Sequence, residues 1–97
     1  MPVIIGEVTT FANPKTDKAQ ALKPLEEAAE VFGAWQAWQA WTRDGGEDIA
    51  QPFVNTIVDE CADVITAVCN LVSALGVDDM RFEMKLCEER NRARGRL

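Results

Sequence analysis

The chain has 97 residues, with 10 basic and 16 acidic side chains, a formal net charge of −6 and no histidine. Hydrophobic residues make up 47% and charged residues 27%, an ordinary globular composition long enough for one domain. The acidic balance argues against a nucleic-acid binder, and the missing imidazole excludes Ser/Cys–His triads, most zinc enzymes and Glu-x-x-His di-iron bundles. Chemistry here is left to carboxylates, working with a hard metal.

Residues 1–22 open on the β-branched run Val3-Ile4-Ile5 and turn around Asn13-Pro14, which reads as an extended arm or short strand. A helical domain over residues 23–97 follows. Its first helix is expected from Lys23, with Pro24 in the first turn and Glu26, Glu27 and Glu30 near the positive end of the dipole. It should end near Thr42, ahead of Asp44-Gly45-Gly46. The second begins near Pro52 and carries the clearest pattern in the chain. Val54, Ile57, Val58, Cys61, Val64, Ile65, Val68, Leu71, Val72 and Leu75 recur at helical steps until Gly76. Asp78 is the expected cap of a third helix, Asp79 to Arg94, with a less regular apolar stripe. These elements predict an all-α fold of three main helices, a four-helix-bundle-type core completed by dimerisation.

The cysteines Cys61, Cys69 and Cys87 form no C-x-x-C pair and read as small buried hydrophobes of a reducing compartment. The N-terminus has no basic lead-in, Glu7 interrupts its apolar run, and Cys61 to Val77 is too short and polar to span a bilayer. A cytoplasmic protein without nucleic-acid or membrane partners is the expectation.

On a helical wheel at about 100° per residue, the second helix gathers its apolar residues into an arc centred near Val68. Thr56, Glu60, Asp63, Ala67 and Asn70 run along the edge of that arc. Glu60 and Asp63 lie one turn apart on one face. On the first helix Glu26, Glu27 and Glu30 share a face, with the small Ala34 and Ala37 next along it. If the helices pack antiparallel, the two acid pairs converge, and their mutual repulsion is offset by a divalent cation such as Mg²⁺ or Mn²⁺. A single acidic pair of this spacing is usually a solvated face; two pairs bordering apolar stripes shift the balance.

The run Glu26-Glu27-Ala28-Ala29-Glu30 followed by Glu60-Cys61-Ala62-Asp63 resembles the E-E-x-x-E…E-x-x-D signature of the MazG-like, all-α nucleotide pyrophosphohydrolases. Asn70-Leu71, Leu75-Gly76-Val77-Asp78 and Asn91-Arg92-Ala93-Arg94 follow in the same order, so the resemblance covers residues 22–94. The 29 residues between Glu30 and Glu60 are at the long end for that family. The resemblance implies hydrolysis of a nucleoside triphosphate to the monophosphate and pyrophosphate, as a homodimer or homotetramer. It implies Mg²⁺, with Mn²⁺ as a substitute, held by Glu27, Glu30, Glu60 and Asp63, and Glu26 and Glu27 as the catalytic acids. Such a metal neutralises polyphosphate and acidifies water, while a nearby carboxylate takes the proton.

Trp35, Trp38 and Trp41 recur every third residue. Trp38 is the candidate for stacking on a base, whereas Trp35 and Trp41 read as a core or interface stripe. Asn70 offers both donor and acceptor to a base or sugar, or else is a satisfied polar residue at an interface. Among the third helix's charges, Lys85, Asn91 and Arg94 gain support from the resemblance as substrate contacts, and the rest of the Arg-rich end reads as solvated. No G-x-x-x-x-G-K loop occurs, which leaves a metal to hold the phosphates. The competing reading is a catalytically inactive acidic helical interaction module; a Ca²⁺ regulator is disfavoured because no EF-hand-type loop is present.

Overall fold

The structure, a computed structural model, describes residues 1–43 and 51–97. It consists of an N-terminal arm and three helices, α1 (Lys18–Arg43), α2 (Gln51–Ala74) and α3 (Arg81–Ala93), with no strand among the described residues. The all-α class and the three-helix order follow the hydrophobic pattern. The helix break expected at Asp44-Gly45-Gly46 lies outside the described residues. No helix among those described is long and apolar enough to cross a membrane.

α1 starts a full turn earlier than Lys23, and the cause is local. Asp17 Oδ1 accepts the Gln20 N–H at 2.8 Å, and the Asp17 carbonyl accepts the Ala21 N–H at 3.1 Å. This is an N-cap with Gln at the third helical position. Pro24 therefore lies inside the helix, where it withholds an N–H from the Gln20 carbonyl. Glu26, Glu27 and Glu30 fall beyond the first turn, which contains no acid, so the helix dipole does little for them.

α2 ends as its glycine predicts. Gly76 adopts φ 84°, its N–H reaches the Ser73 carbonyl at 2.9 Å, and the Val77 N–H reaches Val72 at 3.1 Å. This Schellman pair satisfies two carbonyls that the helix leaves open. The start of α3 is governed by Asp79 rather than Asp78. Asp79 Oδ1 accepts the Arg81 N–H at 3.0 Å while its other oxygen stands 2.8 Å from the Arg81 guanidinium. Those two bonds hold the Asp79 carboxyl down at about 2. Neither aspartate is the N-cap itself, which is Met80 without a side-chain cap bond; Asp79 stands one residue before it.

The arm neither pairs as a strand nor trails away. It turns at Asn13, whose φ of 54° is the left-handed conformation that asparagine tolerates. The Phe11 N–H donates to Asn70 Oδ1 at 2.8 Å, and the Thr16 hydroxyl donates to the Ala74 carbonyl at the end of α2, also at 2.8 Å.

α1 and α2 pack antiparallel. Trp41 of α1 meets Phe53 of α2 with ring centroids 5.2 Å apart, and Thr16, just before α1, reaches the far end of α2. The half-buried line on α1 runs through Glu27, Val31, Ala34, Trp38 and Trp41; on α2 it runs through Ile57, Glu60, Val64, Ala67 and Leu71. The arc centred on Val68 is thus not the face that meets α1. The carboxylate-bearing edge is, and Val58, Val68 and Leu75 remain exposed beside it. Only Ala67 and Asn70 are fully buried among the described residues. α3 packs against neither α1 nor α2. The radius of gyration is accordingly 16.3 Å, against roughly 12.5 Å for a compact chain of this length.

Two glycines should respond oppositely to alanine. Gly76→Ala, forced into a left-handed turn, is expected to lose about 1–2 kcal/mol. Gly33→Ala, inside α1 with nothing within 4 Å of the new Cβ, is expected to gain about 0.4–1 kcal/mol. Urea unfolding followed by circular dichroism measures both, and shifts of the same sign would contradict the assignment.

Candidate metal centre

Midway along the α1–α2 seam the two acid pairs come together. One carboxylate oxygen from each of Glu27, Glu30, Glu60 and Asp63 lies within 4.8 Å of the others. The i,i+3 spacing puts each pair on one face of its own helix, and the antiparallel register brings the pairs level. Glu27 and Glu60 are half-buried; Glu30 and Asp63 are exposed, so the cluster has an inner and an outer side.

The inner side carries a specific debt. Glu60 Oε2 is buried and has no hydrogen-bond partner. A buried, unpartnered carboxylate oxygen costs roughly 1–3 kcal/mol or more, and persists where something else can satisfy it. Glu30 registers the same crowding. A hydrogen bond shared with Glu27, then the Glu27 charge, then Glu60 raise its proton affinity above the usual 4.5. Four hard oxygens with no histidine or thiolate among them suit Mg²⁺ or Mn²⁺. The donor set fits such an ion, and Glu60, which belongs to it, has an oxygen already desolvated.

One cation of the chain already leans on this cluster. Lys23 Nζ lies 3.1 Å from Glu27 and 3.8 Å from Glu26. The Glu27 hydrogen bond, chiefly, raises the Lys23 pKa. Glu26 itself stands outside the group of four, with its side chain 61% exposed.

The remaining expected site residues are dispersed. Trp38 is on the seam, two to three turns from Glu27 and Glu30, or about 12–16 Å along the axis. Trp41 pairs with Phe53, and Trp35 stacks on Phe32 with centroids 6.0 Å apart. Asn70 is 2% exposed, and its side-chain oxygen accepts the Phe11 N–H. Lys85, Asn91 and Arg94 belong to α3 and its end, which do not pack on the helix pair. Asn91 there accepts from Arg96 at 3.1 Å and donates to Cys87 Sγ at 3.7 Å. Sequence reasoning missed Lys23, although a lysine four residues before Glu27 is a readable helical pair. It also missed a cavity of about 560 Å³ next to the acids, bounded by the arm residues Phe11 to Lys15 and by Glu27 and Asp63 themselves.

Because folded Glu30 holds its proton more tightly than an unfolded glutamate, the metal-free chain should lose stability as pH rises from 4.5 through the raised value. Unfolding measured across that window should show the slope, and Glu30→Gln should flatten it. At neutral pH, Mg²⁺ at about a hundred times its Kd should stabilise the chain by about 2.7 kcal/mol, and Glu60→Gln should remove that gain. Comparison with protein-family models, curated proteins and solved structures found no match for this chain.

Proposed function

We propose that the chain is a Mg²⁺-dependent nucleotide pyrophosphohydrolase, converting a ribo- or deoxynucleoside triphosphate and water to the monophosphate and pyrophosphate. The observation that carries this reading is the convergence of Glu27, Glu30, Glu60 and Asp63 within 4.8 Å, together with the buried, unpartnered oxygen of Glu60. The reaction class comes from the resemblance of the E-E-x-x-E…E-x-x-D pattern to the MazG-like enzymes.

Glu27, Glu30, Glu60 and Asp63 would hold the ion, which supplies charge neutralisation for the polyphosphate and a more acidic water. The raised proton affinity of Glu30 opposes its use as a ligand at low pH, so ion binding would be favoured as pH rises. Water adds to the α-phosphorus, the bond to the bridging oxygen breaks, and pyrophosphate leaves. Glu26, outside the four and paired at 3.8 Å with Lys23, is the carboxylate that by the resemblance would take the proton that water loses. Lys23, anchored through Glu27, sets a positive charge at the edge of the acids where phosphate oxygens would arrive.

The active form in this reading is at least a dimer. The single chain exposes 7888 Å², against about 5500 Å² for a compact monomer of its mass. The excess is of the order that obligate dimers bury per chain. From Arg81 onward there are six basic and three acidic residues, and before it four basic and thirteen acidic. Docking α3 of one copy on the acidic helix pair of another would bring Lys85, Asn91 and Arg94 toward a metal centre. The three free cysteines suit a reducing, cytoplasmic setting.

The uncovered apolar faces also favour the second reading, an inactive interaction module. Calorimetric titration with Mg²⁺ separates the two, because the module has no saturable site. In a panel of ribo- and deoxynucleoside triphosphates, the product should be pyrophosphate. Glu60→Gln or Asp63→Asn should lower turnover by roughly 100-fold or more with helicity intact. Release of single phosphates would refute the reaction, and unchanged turnover would remove that residue from the ion's ligands.

A further inference from the structure

The cavity beside the acids has one wall made of the N-terminal arm and the other made of the start of α1 and the middle of α2. Glu27 and Asp63 belong both to this cavity and to the four-carboxylate cluster. A ligand whose phosphates lie at the acids therefore has the cavity open directly beside it. Its volume of about 560 Å³ is that of a small-molecule pocket. Trp38 lies along the seam in the opposite direction from the acids, toward the other end of α1.

The lining is suited to a nucleoside. Phe11, Pro14 and Ala67 give apolar surface, Asn13 and Gln20 bring amides able to donate and accept, and Thr66, whose hydroxyl donates to the Ala62 carbonyl at 3.0 Å, brings an acceptor. Two bonds hold the arm to α2, and the first is made by the most buried side chain among the described residues. Asn70, 2% exposed, accepts the Phe11 N–H at 2.8 Å. A buried amide directed at the backbone of an otherwise exposed segment sets where that segment lies.

Building on the pyrophosphohydrolase reading, we propose that arm residues 11–15 form one wall of the nucleoside pocket and that Asn70 is the positioning residue holding that wall in place. Asn70 acts through the arm rather than by reading the base. The pocket takes the base and sugar, and the acids take the phosphates.

The test compares the full-length wild type with Phe11→Pro, which deletes the donated N–H, Phe11→Ala, which keeps it, and Asn70→Leu, which deletes the acceptor. Phe11→Pro alters an exposed arm and keeps the test open should Asn70→Leu fail to fold. KM for the nucleoside triphosphate should rise about tenfold in Phe11→Pro, and likewise in folded Asn70→Leu, with kcat within about twofold. Phe11→Ala should raise KM less than Phe11→Pro. Inhibition by inorganic tripolyphosphate, which has no nucleoside, should be unchanged in all variants. An unchanged KM in Phe11→Pro overturns the proposal, as does a matching loss of tripolyphosphate inhibition, which would mean general damage to the site. A wild type that releases no pyrophosphate from any triphosphate overturns the underlying reading instead, and this proposal with it.

Discussion

Four carboxylates meet in the seam where α1 packs on α2, and this like-charge contact is the constraint around which the molecule is arranged. Antiparallel helices usually bury leucine and valine at such a position. Here Glu27 and Glu60 occupy the half-buried line, and an oxygen of Glu60 is sealed from water without a partner. A helix pair that stores repulsion at its centre is weaker in isolation than one with an apolar seam, and it gains most from a ligand that cancels the charge. The four oxygens stand already gathered within 4.8 Å, so a cation held there would need little reorganisation of the pair.

The features around the acids follow from that arrangement. Trp41 against Phe53 closes one end of the seam, and the arm, tied by Asn70 and by Thr16 to α2, closes the other. The acids are thereby flanked by aromatic packing in one direction and by a cavity in the other. Lys23 bridges these regions, sharing Glu27 with the cluster while lining the cavity. The polarity of the site therefore has a direction along the helix axis, from aromatic seam through acids to open pocket.

Much of this was readable from the residues. Three- and four-residue apolar steps revealed α2, Gly76 marked its end, and the spacing of Glu27, Glu30, Glu60 and Asp63 identified which oxygens would meet. The start of α1 was misplaced because Pro24 is a conspicuous first-turn signal, while the quieter Asp17-x-x-Gln20 cap sets the true boundary. The burial pattern of α2 was shifted for a different reason. A wheel finds the most hydrophobic direction, near Val68, but a chain that places charge in its seam leaves that direction uncovered. The path of the arm was not readable, since a bond between residues 11 and 70 depends on tertiary placement and has no local periodicity.

The separation of α3 from the helix pair bears on how its secondary structure persists. Its 13 residues fall where isolated helices are marginal in water, at lengths below about 12–15. The Asp79 contact at its start and the turn at Gly95 secure its ends, yet Phe82 and Met84 stay largely exposed, at 70% and 59%. The helical order of this segment thus rests on its own backbone bonds and on the contacts at its two ends. In the single chain its amides should therefore exchange faster than those of the α1–α2 pair, which a packed seam supports.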